Sequence, residues 1–117
     1  MRERTNAFAV DTVRLCRSIP LSFEGRHVAG QLIRSSTSVA ANYRAACRAR
    51  SRRDFVSKIG IVLEESDESL FWLEFAQKIE LLSSEKAGVV TAEAGELLAI
   101  FSATSATARQ RLKPSKG

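Results

Sequence analysis

The spacing of hydrophobic residues along this chain predicts helices rather than strands. Apolar positions recur every three or four residues in four stretches, whereas β-branched residues never alternate cleanly with polar ones. Pro20 and Pro114 are the only prolines, so the sequence between them can be almost continuously helical. We therefore predict an all-α protein.

Capping residues and breaks in the pattern place four helices. The first is expected from about residue 6 to 18, capped by Thr5 or Asn6 and ended before Pro20. The second is expected over about 26–50, the third over about 51–82, and the fourth from about residue 84 to 113. Phe23, in the first connection, is expected to cover one end of the bundle.

The connections are short, which predicts antiparallel neighbours and an up-down-up-down four-helix bundle. We expect one domain over residues 1–113 and a disordered tail over 114–117. The third helix has the strongest periodic pattern, in a stripe made of Phe55, Ile59, Val62, Ser66, Ser69, Leu73 and Ala76. The predicted core contains Leu32, Val39, Ile59, Val62, Leu73, Leu97 and Phe101.

The predicted helices differ in length, which has a consequence for assembly. About 31 residues in the third helix span ~46 Å, against ~20 Å for the first, so part of the bundle lacks a first-helix neighbour. Phe71, Trp72 and Phe75 also occupy more of the third helix's circumference than one seam can bury. We predict that this aromatic trio forms an oligomer interface.

Composition excludes several classes of function. The chain has two cysteines and one histidine, His27, which suits neither a disulfide framework nor a metal site. His27 has no recognisable catalytic triad context, so no catalytic residue and no cofactor are predicted. No unbroken apolar run of about 18 residues is present, so we expect no membrane span and a cytoplasmic protein.

Charge is distributed unevenly along a chain whose net charge is +5. Residues 26–58 hold eight Lys or Arg and a single acid, whereas residues 59–96 hold nine acids and two lysines. The basic residues are densest around the second connection, at Arg44, Arg48, Arg50, Arg52 and Arg53.

Two interpretations of this arginine cluster remain open. Its guanidinium groups can bind the phosphates of a nucleic acid, with Tyr43 or Phe55 as a stacking surface. Alternatively, they pair with acids within the chain or in another subunit. Arg34 and Arg44 are the arginines expected to reach the acids at 64–68.

Polar residues on the second and third helices are expected to fix the register between them. Asn42 is predicted to bond across to Glu65 or Glu68, as a polar seam residue does in a coiled coil. The acids at 64–68 lack the histidines and facing carboxylates of a di-metal site, so no metal is predicted there.

The stretches 31–44, 48–55 and 61–74 resemble the "four helix bundle proteins", relatives of proteins encoded by intervening sequences in bacterial large-subunit ribosomal RNA genes. The resemblance implies a ring-shaped homopentamer without enzymatic activity. A distant branch works with a reverse transcriptase, and that role is not carried over. Where many relatives have a turn containing Glu-Gly, this chain has Arg44-Ala45-Ala46-Cys47.

We therefore predict a non-enzymatic oligomer whose basic connection binds RNA or a nucleoprotein. The alternative is a protein-binding or ring-scaffold module with no role in nucleic-acid binding. No small-molecule substrate is evident in either case.

Overall fold

A computed structural model describes residues 1–113, so the tail predicted at 114–117 lies outside the described residues. Within that range the chain forms four helices and no strand. Their bounds are α1 (Arg2–Cys16), α2 (Phe23–Cys47), α3 (Arg52–Lys78) and α4 (Ser84–Gln110). Each helix packs against the next and α4 returns to α1, which confirms the predicted all-α four-helix bundle.

The core follows the predicted periodicity closely. All seven predicted core residues are buried, and so are the α3 stripe positions from Ile59 to Ala76. The stripe includes serines, and Ser69 Oγ donates to Ser35 Oγ on α2 over 2.9 Å. Small hydroxyl side chains therefore form part of the seam between α2 and α3, where they let the two backbones approach closely.

Serine side chains begin three of the helices. Each accepts a hydrogen bond from the backbone N–H three residues later, which satisfies one donor of the first turn. The pairs are Ser22 with Gly25, Ser51 with Asp54, and Ser83 with Lys86, at 3.0–3.2 Å. At Ser51 only half of a capping box is formed, since Asp54 accepts from the N–H of Arg50 and not from that of Ser51.

The predicted start of the first helix was wrong. Thr5 does not cap α1 but lies inside its first turns, buried, with its hydroxyl bonded back to the carbonyl of Arg2 at 3.0 Å. The helix therefore begins four residues earlier than expected and ends at Cys16 rather than Ser18.

The expected position of Phe23 was also wrong. Its side chain is 93% exposed at the first residue of α2 and covers nothing. The shape of the connection depends on Gly25 instead. The backbone there passes so close to Pro20 that a Cβ would overlap the carbonyl oxygen of Pro20. The chain thus turns tightly into α2, which begins three residues earlier than predicted and ends at Cys47.

Helix α3 ends at Lys78 rather than near Leu82 because Glu80 takes a left-handed conformation, with φ 62°. The N–H of Leu81 then bonds to the carbonyl of Ala76 at 2.9 Å, and that of Glu80 to Gln77 at 3.1 Å. This is the Schellman arrangement that commonly closes a helix, here with glutamate where glycine is usual.

Unequal helix lengths leave one end of the bundle with three helices. α1 has 15 residues and α3 has 27, which correspond to about 22 and 40 Å. α1 begins level with Tyr43, whose surroundings include Arg2. Beyond that level lie the α2–α3 connection and the last turns of α4 (residues 44–58 and 101–113), hereafter the three-helix end.

Candidate nucleic-acid interface

The predicted arginine cluster lies at the three-helix end, and all five of its side chains are exposed. Arg44 is in the last turn of α2, Arg48 and Arg50 are in the connection, and Arg52 and Arg53 begin α3. The cluster is therefore presented by two helix ends and the short connection that joins them.

An open groove along the α2–α3 connection brings part of this cluster together. Arg44, Arg48 and Arg50 line it, together with Lys58 from the second turn of α3. Asp54 is the one carboxylate among its lining residues, and it already accepts the backbone N–H of Arg50. We call the groove lined by these four cations the arginine groove. Lys58 is the one lining cation that the sequence analysis did not predict.

Arg52 faces a different opening, between the start of α3 and the end of α4. A cleft there is lined by Arg52, Phe55, Ala108 and Arg111. Arg111 was not predicted as a site residue, although the basic residues at the end of α4 were visible in the sequence as complements to the helix dipole. Arg53 lines neither opening.

Ion pairs separate the two interpretations of the cluster. Within residues 1–113, only Arg4 and Arg34 form them: Arg4 pairs with Glu93 at 2.6 Å, and Arg34 pairs with Glu65 at 2.9 Å and also with Glu68. None of the five cluster arginines is paired in this range. Arg34 thus reaches the acids as expected, Arg44 does not, and intrachain pairing does not account for the cluster.

Two of the paired carboxyl groups, those of Glu68 and Glu93, have a lowered pKa. The side-chain hydrogen bond from Arg34 holds the pKa of Glu68 below its ordinary value, although partial burial opposes the shift. Arg4 lowers the pKa of Glu93 in the same way. Both acids therefore stay charged in the folded chain, and their charge is matched by arginines outside the three-helix end.

The predicted bridge from Asn42 to α3 is corrected by the structure. The side-chain amide of Asn42 donates to the carbonyl and hydroxyl of Ser38, one turn earlier in α2. Glu65 and Glu68 are occupied by Arg34, and Glu68 also accepts from Trp72 Nε1 at 3.4 Å. The polar contacts between α2 and α3 are made instead by Arg34 with these two acids and, inside the buried seam, by Ser69 with Ser35.

The two candidate stacking residues have different surroundings. The Tyr43 ring is half-buried against Phe101, with ring centroids 5.5 Å apart, and burial raises the pKa of its hydroxyl. Phe55 packs against the core but also lines the cleft beside Arg52. Phe55 is thus the aromatic residue that the three-helix end offers to a ligand.

The aromatic trio lies on α3, towards the opposite end of the bundle. Phe71 is 53% exposed and stacks on the exposed Phe75, with ring centroids 5.8 Å apart. Trp72 is partly covered by His27, which meets it edge-on at 5.5 Å. Two large apolar rings therefore remain in contact with solvent, as the helix geometry predicted.

Helix α4 has an outer surface that is unusually poor in charge. Residues 97–108 contain no charged side chain, and an 18-residue stretch of α4 reaches a mean hydropathy of 1.2. By length and composition α4 is a weak candidate for a membrane span, with serines and threonines interrupting its apolar residues. Within residues 97–108 five side chains are exposed, so part of this uncharged surface faces solvent: Ala99, Ser102, Ala103, Ala106 and Thr107.

Residues 1–113 contain no group of three or more His, Cys, Asp or Glu side chains placed to hold a metal ion. The described part of the chain therefore offers cationic and aromatic groups at its three-helix end. That set is suited to binding an anion and a planar ring.

Comparison with known proteins extends this description. The sequence profile of the 23S rRNA-intervening sequence protein family matches residues 1–103. A solved structure from Bacteroides thetaiotaomicron VPI-5482, of a protein with unknown function from the S23 ribosomal protein family, is similar with a TM-score of 0.81. The two sequences are 29% identical over 89% of this chain and 96% of that one. Among curated proteins, none matches this sequence.

Proposed function

Because this chain belongs to the 23S rRNA-intervening sequence protein family, we propose that it is a non-enzymatic helical bundle that binds RNA through its three-helix end. The RNA backbone lies along the arginine groove, where Arg44, Arg48, Arg50 and Lys58 contact successive phosphates. Guanidinium groups suit this role because they bind phosphate oxygens in a bidentate manner.

One observation carries this proposal: the cluster arginines have no acidic partner within residues 1–113, whereas Arg4 and Arg34 are both paired. Five like charges gathered on one helix connection repel one another. A polyanion relieves that repulsion and releases the counterions condensed on its own phosphates. The single carboxylate in the groove, that of Asp54, accepts the backbone N–H of Arg50. With four cations against one acid, the groove remains basic.

The test is a salt titration of RNA binding. We expect the double variant Arg48→Glu, Arg50→Glu to bind a structured RNA at least 10-fold more weakly than the unaltered protein. The slope of log affinity against log salt should become shallower by about 1 for each phosphate that the variant no longer neutralises. Fluorescence anisotropy at several salt concentrations measures both quantities.

The matched control is Arg17→Glu, Arg26→Glu, which changes the net charge equally at the opposite end of the bundle. Both control side chains are exposed. If the two double variants lose the same affinity, binding depends on net charge alone and the groove has no specific role. If neither variant nor the unaltered protein binds RNA, the proposal is wrong.

The exposed aromatic trio supports a second part of the proposal, self-association. Phe71 and Phe75 on α3 form one apolar surface, and residues 97–108 of α4 form another without charge. A contact between two different surfaces of identical chains repeats from one subunit to the next, and it closes into a ring when the rotation between subunits is a whole fraction of a turn. We propose that Phe71, Trp72 and Phe75 contact a neighbouring subunit in a homo-oligomer, with the family resemblance suggesting five subunits.

Light scattering coupled to size-exclusion chromatography tests this assembly. We expect a mass several times that of the 12.9 kDa chain, reduced by the double variant Phe71→Ser, Phe75→Ser. A 12.9 kDa species at micromolar concentration would contradict self-association. A stable ring that binds no RNA would favour the alternative, a protein scaffold without a nucleic-acid role.

A further inference from the structure

The cleft between α3 and α4 is a second opening at the three-helix end, and the proposed phosphate contacts in the arginine groove do not involve it. Its inner part is lined by Arg52, Phe55, Ala108 and Arg111. It continues along α4 past Ala103, Thr104 and Thr107. The cleft exists because α1 stops short of this level and leaves the start of α3 facing the end of α4.

We propose that this cleft holds one unpaired base of a single-stranded RNA, with the ring of Phe55 as its stacking surface. This inference rests on the proposed function, since the backbone of the same strand would lie in the arginine groove. It adds that the preferred ligand is single-stranded and not a duplex.

The chemistry of the lining residues supports a base with its phosphate. One aromatic ring and two guanidinium groups, those of Arg52 and Arg111, line the cleft, and no carboxylate lines either part of it. Aromatic rings stack on any base, and arginine adds cation–π and phosphate contacts. The Thr104 hydroxyl donates to the carbonyl of Ile100 at 2.8 Å, so it is already bonded within α4. This wall of the cleft is therefore largely apolar.

The inner part of the cleft has room for a planar ring, and the outer part along α4 adds a wider, more open space of about 360 Å³. Its inner part has a volume of about 100 Å³ and is open to solvent on one side. A closed cavity of about 150 Å³ holds a benzene ring. An open space of this size accommodates part of a base.

The position of the cleft relative to the arginine groove completes the argument. Asp54 and Lys58, one turn apart, line the groove, while Arg52 and Phe55 line the cleft. The first turn of α3 therefore separates the two openings by the width of a single helix. A strand that crosses this turn can keep its phosphates on one side and insert a base on the other. A duplex cannot do so, because its bases are stacked and paired.

The experiment compares a labelled 12-nucleotide single-stranded RNA with a 12-base-pair RNA duplex, using the full chain. We expect Phe55→Leu to weaken binding of the single strand by roughly 5- to 150-fold, the range for loss of one stacked base, and to leave duplex binding unchanged. Leucine keeps the apolar contact with the core, and circular dichroism checks that the fold is retained. Phe23→Leu, at an exposed ring at the opposite end of the bundle, is the matched control and should change neither affinity.

A second pair of variants avoids the core entirely. Arg111→Gln should weaken the single strand more than the duplex, whereas Arg109→Gln, which removes the same charge outside the cleft, should affect both equally. If Phe55→Leu and Arg111→Gln leave the ratio of single-strand to duplex affinity unchanged while RNA still binds, the base cleft is refuted and the proposed function stands. If no RNA binds to any form of the protein, both are refuted.

Discussion

The bond between Ser35 and Ser69 gives a sharp prediction about what holds α2 and α3 in register. Both side chains are fully buried, and Ser69 Oγ donates to Ser35 Oγ over 2.9 Å. The Ser35 hydroxyl has only a long contact of its own, 3.5 Å to the carbonyl of Leu32. The two hydroxyls therefore depend on each other more than on the backbone, and removing either one has a different effect from removing both.

The expected magnitudes follow from that geometry. Ser69→Ala removes one hydrogen bond but leaves Ser35 free to donate to its own helix, at a cost of about 1 kcal/mol in the free energy of unfolding. Ser35→Ala removes the acceptor of a buried donor and costs about 1–3 kcal/mol, less if Ser69 turns back to a carbonyl of its own helix. The double variant leaves no unmatched hydroxyl, so its cost should be about 1 kcal/mol smaller than the sum of the single costs.

Urea denaturation followed by circular dichroism measures the four proteins of this cycle. The protomer concentration must be the same in each experiment, because self-association would make apparent stability depend on it. Thr37→Ala is the control, since this exposed hydroxyl bonds only to carbonyls of its own helix. A coupling below about 0.3 kcal/mol between the two serines would show that their bond does not stabilise the seam.

Three further changes test other parts of the bundle. Gly25→Ala should destabilise the protein by about 1–3 kcal/mol in urea denaturation, because the added Cβ overlaps the Pro20 carbonyl; an unchanged midpoint would contradict this. Glu80→Gly should raise the stability by up to about 1 kcal/mol, since glycine adopts the left-handed conformation without strain, and a lower melting temperature would refute it. Arg34 lowers the pKa of Glu68, so this pair stabilises the fold above pH ~4.5 and its contribution disappears as the pH falls through the lowered value. Glu68→Gln should therefore lose less stability on acidification, by under about 1 kcal/mol for this solvent-exposed pair, and identical acid profiles would argue against the effect.

The fold could be predicted because the spacing of buried residues is a local pattern that repeats along each helix. The α3 stripe alternates three and four residues for about six turns, and only a helix puts such positions on one face. The helix ends were less predictable. Thr5 resembles a cap in sequence, but the same hydroxyl serves equally well buried in the helix, bonded to the carbonyl of Arg2. Phe23 was expected to cover one end of the bundle, whereas the tight turn at Gly25 fixes it on the outside.

The candidate site was predictable only where its residues are close in sequence. Arg44, Arg48 and Arg50 surround one connection, so their proximity follows from the chain itself. The meeting of Phe55 with Arg111 depends on where α4 ends relative to α3, which no local pattern specifies. The partner of Asn42 was missed for a similar reason: a polar side chain on a seam can bond along its own helix as well as across.

The short first helix also divides the molecule by local stability. Where four helices surround the core, side chains such as Leu32, Leu73 and Leu97 are fully enclosed, and opening that region requires most of the molecule to unfold. At the three-helix end fewer apolar groups are enclosed, so the last turns of α4 can open with little loss of packing. Amide hydrogen exchange should accordingly be fastest there and slowest in the middle of α3. The surface that carries the arginine cluster is therefore also the part of the protein that can change its shape with the least loss of packing.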